Sequence, residues 1–404
     1  MNQPVDAHLV VDETPATLRR LRVAVVTETF PPEVNGVART ISRVVDGLRA
    51  RGHDVQLIRP RQVVDAGREL QASEEQVLTR GLPIPGYPDM RMGLPSKRAL
   101  MSLWKLRRPD VVYVATEGPL GWSALQTARS LRVPVASEFR TNFHAYAQHY
   151  GVGWLQRPML AYLRKFHNRT HVTMVPTAGL KKDLSPHGFE RLEVVQRGVD
   201  TDLFHPGQRR EDLRQSWGAA PDDPVVVCVG RLAAEKNLML LAEAFEAFRA
   251  GVPRARLVVV GDGPLREQLQ ARAPYAHFAG SRSGDDLAAH YASADLFFFP
   301  SVTETFGNVT LEAMASGLPV LAYNYAAAAQ VIDHGHNGWL VPFDDAAAYV
   351  QTAAKLHSAS SDWKALGTLA VQAAARNAWD SIISQIERVL RQVLSDANAK
   401  SVRP

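Results

Sequence analysis

The chain has 404 residues, 22% of them charged and 46% hydrophobic, with a formal net charge of +5 and a pI near 9.3. That length and balance fit a globular protein of two or three domains, and no apolar run approaches the roughly 18 residues needed to span a bilayer. There is no helix-turn-helix, zinc-finger or RRM signature. The mild basicity therefore points to nucleotides or anionic lipid surfaces, and no nucleic acid partner is expected.

Residues 1–20 are polar and aperiodic and read as a flexible tail. Met1–Asp6 has neither the basic start nor the apolar core of a secretory signal. Cys228, the only cysteine, lies in the apolar run Val225–Val229 and reads as core, so no internal disulfide is expected and a cytoplasmic setting follows. Arg22 to Thr27 reads as a first parallel strand, followed by the loop Pro31-Pro32-Glu33-Val34-Asn35-Gly36. A helix from Val37 to Arg51 places Val37, Ile41, Val44, Val45 and Leu48 on one face, and Gly52 stops it before a strand at His53–Ile58. This is a βαβ unit with phosphate-loop geography but no G-x-G-x-x-G. Gly36 either lets the backbone approach a ligand or simply makes the turn.

Residues 80–110, rich in Pro, Gly, Arg and Lys, read as a long active-site loop leading into a basic helix around Lys97 to Arg108. A strand at Pro109–Ala115, a helix from Trp122 to Leu131 and a strand at Val133–Ser137 follow. Then comes Glu138-Phe139-Arg140-Thr141-Asn142-Phe143-His144. A lone histidine is more often structural than catalytic, but the carboxyl end of a strand is where open α/β sheets bind ligands, so His144 is a candidate. Residues 154–170 form a basic helix with interleaved Trp154, Leu160, Tyr162 and Phe166, suited either to core packing or to a membrane interface. Asp200-Thr201-Asp202 is formally a D-x-D. It precedes a polar linker rather than following a strand and reads as hinge. No other Asp, Glu and His set has metal-ligand spacing, so no metal is expected.

A second βα series opens with the strand Val225–Val229. The loop Gly230-Arg231-Leu232-Ala233-Ala234-Glu235-Lys236-Asn237 puts two cations where a pyrophosphate would sit, or else pairs them with Glu235 and solvent. Arg256–Val260 is a strand leading to Gly261-Asp262-Gly263. The run Asp295–Phe299 reads as a buried strand, and Pro300 to Ala313 carries it through a loop into a helix. Glu304 sits on that loop. The backbone N–H groups of Thr305, Phe306 and Gly307 lie near the helix start, a place suited to a phosphate. Glu312 falls inside the helix. Two carboxylates beside a phosphate site suit an anionic ligand that also bears sugar hydroxyls; a solvated helix start is the other reading. A last helix from Trp379 to Leu394 has Ile382, Ile383, Ile386, Val389, Leu390 and Val393 on one stripe.

Glu304 and Glu312, eight apart with Phe306-Gly307 between them, resemble the E-x7-E motif of retaining GT-B glycosyltransferases of the GT4 type. The string Gly230-Arg231 to Lys236-Asn237 resembles the same family's G-R-x4-K-N, and the resemblance extends over most of the chain. It implies an α/β fold of two doubly wound Rossmann-like domains facing across a cleft. The N-terminal acceptor domain would span 21–203 and the nucleotide-sugar domain 204–378, with a C-terminal helix at about 379–396 crossing back. Arg231 and Lys236 would then hold the donor diphosphate, Glu304 the donor sugar hydroxyls and Glu312 the ribose. His144 would reach the reacting centre, and Gly36, Gly261, Thr305, Phe306 and Gly307 would lie against the donor. Retention of configuration without a required metal or cofactor is also implied. Two departures stand out. Asn35-Gly36 supplies one glycine where two are usual, and Tyr323–Ile332 has alanines and Gln330 where glycines and a Glu are usual.

The strings Thr27–Val37 and Thr116–Gly121 resemble the branch that holds sulfoquinovosyl-diacylglycerol synthases and MgtA-like mannosyltransferases. That implies a UDP-sugar or GDP-mannose donor, a lipid acceptor such as diacylglycerol, and peripheral attachment to the anionic inner face of the cell membrane. A soluble or polyprenyl-linked saccharide is the alternative acceptor. A GT-B-fold sugar-nucleotide epimerase and a non-catalytic binding module are the alternatives of other classes.

Overall fold

Runs of Val, Ile, Leu and Phe without polar alternation form strands that are covered on both faces. The structure, a computed structural model, describes residues 19–33, 35–62, 65, 76–84, 87–140, 156–304 and 306–402. His144 and Thr305 lie outside the described residues. In the first half the strands are β1 (Arg22–Val26), β2 (Asp54–Pro60), β3 (Gln76–Thr79), β4 (Gly81–Ile84), β5 (Tyr87–Gly93), β6 (Val111–Val114), β7 (Val135–Glu138), β8 (Val172–Val175) and β9 (Leu192–Val194). In the second they are β10 (Val225–Val229), β11 (Arg256–Val260), β12 (His277–Gly280), β13 (Leu296–Phe299), β14 (Val320–Tyr323) and β15 (Gly338–Val341).

Two parallel sheets result, with orders β3-β2-β1-β6-β7-β8-β9 and β12-β11-β10-β13-β14-β15. Each is doubly wound, and the strand order reverses direction between β1 and β6 in the first and between β10 and β13 in the second. The carboxyl ends of those four strands are the expected ligand crevices. Cys228, on β10, is buried, and burial pushes its thiol up to about 12.

The segment read as a long loop is mostly built structure. Gly81–Ile84 pairs antiparallel with Tyr87–Gly93, and only then does the helix Lys97–Leu106 begin. Pro83 and Pro88 obscured the pairing. A proline cannot donate to a ladder and is tolerated only at an edge, which a two-stranded ribbon supplies on both sides. Glu28 fastens the ribbon: its carboxylate accepts from the backbone N–H of Gly93 and, at 2.9 Å, from that of Leu120 at the start of the helix Pro119–Ser130.

The C-terminal helix, Trp379–Val402, returns to the first sheet. Ile382, Ile383, Ile386, Val389, Leu390 and Val393 are all buried beside Ile41, Val44 and Val45 of the helix Gly36–Ala50. Each buried aliphatic side chain contributes about 1.5–3 kcal/mol. The six together outweigh the pair Arg51–Asp380 at 2.5 Å, whose carboxylate is exposed and which contributes at most about 1 kcal/mol. Contact at the crossing is close. A Cβ on Gly47 would lie 2.6 Å from Ile383, and one on Gly198 would lie 2.5 Å from the Trp379 ring. The two strands of chain joining the halves run side by side, with Val199 N–H donating to Asn377 O at 2.9 Å. Asp200, of the D-x-D, is occupied there: it accepts from Arg43 and, at 3.2 Å, from the N–H of Leu203.

Candidate active site

The C-terminal wall of the cleft is assembled from three strand ends. After β10 the chain turns at Gly230, and after β11 at Gly261, whose φ of +136° falls in the region that favours glycine. A Cβ on Gly261 would meet the Gly230 carbonyl oxygen at 1.9 Å, so the two loops touch backbone to backbone. That contact fixes the loop from Arg231 to Lys236 over the sheet. Leu232 N–H donates to Asp262 O at 2.9 Å and Leu265 N–H to Leu232 O at 2.9 Å. Arg231 is exposed and has no side-chain partner among the described residues.

The loop after β13 meets this one. Lys236 Nζ donates to Glu304 Oε1, and Ser301 Oγ donates to the same oxygen at 2.8 Å. Both charged side chains are largely enclosed, at 17% and 15% exposure. Lys236 Nζ also lies 5.3 Å from the centre of the Phe299 ring, a cation–π contact that holds it against the sheet. Tyr325 donates to the Glu304 carbonyl at 3.1 Å. Phe306 is buried, and Gly307, at φ +95°, turns the chain into the helix Asn308–Ala315. Glu312 on that helix is not a solvated surface residue: Tyr291 donates to its Oε2 at 3.0 Å. Burial raises its carboxyl above the usual range, against the Tyr291 bond and the positive charge of Arg39 reaching over from the first half. Lys236, Glu304, Phe306 and Gly307 thus form one cluster at the second sheet's switch point, with Arg231 on the same loop and Glu312 one helix turn beyond.

On the N-terminal wall, Asn35 caps the helix Gly36–Ala50, its Oδ1 accepting from Ala38 N–H at 2.8 Å. Gly36 is the first helical residue. It has no positive φ, and nothing lies within 4 Å of where its Cβ would be, so neither the turn nor the packing requires glycine there. The wall also holds a buried cluster that spacing did not single out. Tyr113 on β6 donates to Glu138 Oε2 at the end of β7, and Arg140 Nη2 donates to the same oxygen at 2.5 Å. Arg197, just past β9, is 8% exposed. Burial pulls its guanidinium down to about 10, so it remains a cation at neutral pH. Burial also pulls Arg140 down, but the charge of Glu138 and the neighbouring Tyr113 outweigh it and the net shift is upward. Burial and the Glu138 charge keep Tyr113 a phenol. Arg197 feels the charge of Glu304 across the cleft. Next to it, Gln196 Nε2 donates to Gln330 Oε1 at 2.6 Å, joining the halves through the residue that departs from the family pattern. The signal for these residues lay in position: Arg140 and Arg197 each follow closely on a parallel strand.

Two facing doubly wound domains, with the last helix returned to the first, define the GT-B architecture. A sucrose-phosphate synthase from Thermosynechococcus elongatus superposes over 93% of this chain and 100% of its own with a TM-score of 0.74, at 18% identity. Residues 34–203 match the model described as "Glycosyltransferase Family 4", and residues 223–359 that described as "Glycosyl transferases group 1". A GDP-mannose-dependent alpha-mannosyltransferase of Mycolicibacterium smegmatis is 37% identical over 331 residues, covering 80% of this chain and 85% of its own. An alpha-monoglucosyldiacylglycerol synthase of Streptococcus pneumoniae is 26% identical over 318 residues, covering 75% and 71%. The chain belongs to glycosyltransferase family 4 and is a retaining hexosyltransferase.

Proposed function

We propose that this enzyme moves a hexosyl group from a UDP-sugar or GDP-mannose to a membrane lipid such as diacylglycerol, working at an anionic surface. The observation that carries the donor half is the Lys236–Glu304 pair, where a cation and a carboxylate meet at one switch point. Arg231 and Lys236 hold the diphosphate and offset charge that grows on the leaving group. Glu304 positions the sugar hydroxyls and Glu312 the ribose. The backbone of Thr305, Phe306 and Gly307 lies against the donor, as does that of Gly261. Gly36 leaves open space for the donor to approach the first helix, and His144 acts at the reacting centre. Residues up to about 203, with the C-terminal helix, serve the acceptor.

Support for a lipid acceptor comes from the outer face of the first half. A groove of about 620 Å³ between the helices Lys97–Leu106, Pro119–Ser130 and Gln156–His167 is lined by Lys97, Arg129, Lys165, Arg169, Trp122 and Tyr162. No carboxylate is among its lining residues within the described part of the chain. Leu106 at 90% exposure and Leu82 at 52% lie bare on the same half. A cationic groove and exposed apolar side chains on one half fit attachment to an anionic interface, and no helix among the described residues is long and apolar enough to cross a membrane. The helix Gln156–His167 packs Leu163 and Phe166 into the core, while its exposed Arg164 and Lys165 support the interfacial reading. The two mannose- and glucose-transferring relatives support the donor classes, and the diacylglycerol in the second one's name supports the acceptor class.

Incubation with a panel of labelled nucleotide sugars and diacylglycerol-containing vesicles, anionic or neutral, tests this. Labelled glycolipid, formed faster on anionic vesicles, is the expected result. Donor turnover without lipid product would sink the lipid acceptor and leave a soluble or polyprenyl-linked saccharide.

A further inference from the structure

The segment from Tyr325 to Gln330, where this chain departs from the family pattern, has no part in the donor contacts assigned to this wall. It nevertheless touches both the other half and the loop of Glu304. At one end Gln330 Oε1 accepts from Gln196 Nε2 at 2.6 Å. Gln196 lies two residues past β9 and is tied to the first sheet through Val195, whose N–H donates to Val175 O at 2.9 Å. At the other end Tyr325 donates to the Glu304 carbonyl at 3.1 Å, and Ala327 N–H donates to Phe306 O at 2.8 Å. Between the ends lies one helical turn, Ala328–Val331, and Gln330 N–H donates to Ala327 O at 2.9 Å. Ala327 and Ala328 are buried. Ala326 is held at φ +52°, a left-handed backbone that alanine keeps where its surroundings impose it. Alanine samples fewer backbone conformations than glycine, so this segment is stiffer than a glycine loop. A displacement at Gln330 is therefore carried to Glu304 and Phe306 rather than absorbed on the way.

We propose that Gln330 is a positioning residue: its bond to Gln196 ties the approach of the two halves to the placement of Glu304, so that the donor sugar is held for transfer when the N-terminal wall is in place. The inference rests on the glycosyltransferase reading and on the sugar-binding role given there to Glu304. Linking the last step of site assembly to closure shields the donor from water until both walls are present. Gln330 Nε2 is buried without a partner among the described residues, so the side chain serves through its oxygen alone, and a carboxylate would serve as well.

Steady-state transfer from UDP-glucose and GDP-mannose to diacylglycerol in vesicles, with calorimetric binding of UDP and GDP alongside, tests it. Gln330→Met and Gln196→Met are each expected to lower kcat about fivefold, the effect of one lost hydrogen bond. Affinity for UDP or GDP should stay within about twofold, because Arg231, Lys236 and Glu312 are untouched, and the thermal midpoint should stay within about two degrees. The double Met variant should be no slower than either single one, since both remove the same bond. Gln330→Glu keeps an acceptor for Gln196 and should restore most of the rate. Tyr325→Phe, which cuts the far end of the path, should lower kcat alone and add nothing to Gln330→Met. A second readout does not depend on transfer: amide exchange in residues 301–307 and 325–331 should speed up in Gln196→Met, although Gln196 belongs to the other half. Absence of turnover with a whole panel of nucleotide sugars, with that exchange response intact, would count against the transferase reading and not against the relay. An unchanged kcat in the Met variants, additive losses in the double variant, or nucleotide affinity and thermal midpoint falling together with kcat would each overturn the proposal.

Discussion

The two walls of the cleft share one topology but carry their charge at different depths. On the C-terminal wall, Arg231 is at the surface and Lys236 and Glu304 are paired on loops directly after β10 and β13. On the N-terminal wall, Tyr113, Glu138, Arg140 and Arg197 lie beneath the surface, drawn together from the ends of β6, β7 and β9. The Lys236–Glu304 pair is largely enclosed, but it sits on loops at the cleft and each partner keeps some contact with solvent. A buried cluster behaves as a unit, because removing one member strands the others in low dielectric. Substitutions on the first wall should therefore act on turnover with little effect on folding, and the second wall should couple the two.

The largest expected effect tests the paired charges. Lys236→Met and Glu304→Gln should each lower kcat/KM by about 10²–10³. The double substitution should cost little more than either alone, since both groups belong to one hydrogen-bonded unit. Additive losses in steady-state kinetics would break the unit into two independent sites.

Gly261→Ala should be next, and it acts on folding. It forces a side chain into a left-handed backbone and against the Gly230 carbonyl, a cost of about 2–4 kcal/mol measurable by urea unfolding. Gly198→Ala, which would press on the Trp379 ring, should cost about 1–3 kcal/mol and loosen the C-terminal helix, seen as faster amide exchange in residues 379–393.

Acid should weaken the first half selectively through His167. Its ring is enclosed with Phe139, Phe166 and Phe189, Ser137 Oγ lies 3.0 Å from Nδ1, and burial pulls it down to about 3. The unfolded chain binds its proton near 6.5, so the stability from neutral His167 is complete above that pH and is lost as pH falls from about 6.5 toward 3, by about 1.4 kcal/mol per unit. His167→Gln should flatten that slope in urea melts across the window.

Gly36→Ala should have the smallest effect on folding, within about 0.5 kcal/mol, because a Cβ there meets nothing. If the open space serves the donor, KM for the nucleotide sugar should rise while stability holds. An unchanged KM would assign Gly36 to neither the turn nor the ligand.

Much of this was legible in the chain itself, for a physical reason. A buried parallel strand must be an apolar run, and ligands bind at the carboxyl ends of such strands, so local spacing offers Arg231, Lys236, Glu304 and Glu312 as candidates, and the resemblance of their strings to the family motifs singles them out. The stripe Ile382 to Val393 likewise announces an amphipathic helix, though not its destination. The ribbon at 81–93 reads as loop in the sequence because its prolines suppress the strand signal, and strand pairing depends on what lies opposite rather than on the strand alone.

What only the tertiary structure decided is which distant residues share a site. Glu304 gains Lys236 across 68 positions, and Gln196 gains Gln330 across 134. Arg197 becomes an uncompensated buried cation only because three strand ends converge and none brings a second carboxylate among the described residues. Composition and periodicity set the elements, since backbone hydrogen bonding and side-chain burial are local demands. Burial of a charge and the absence of its partner are properties of the assembled cleft, so the sequence could place Arg197 at the end of a strand but could not show that its charge was unmatched.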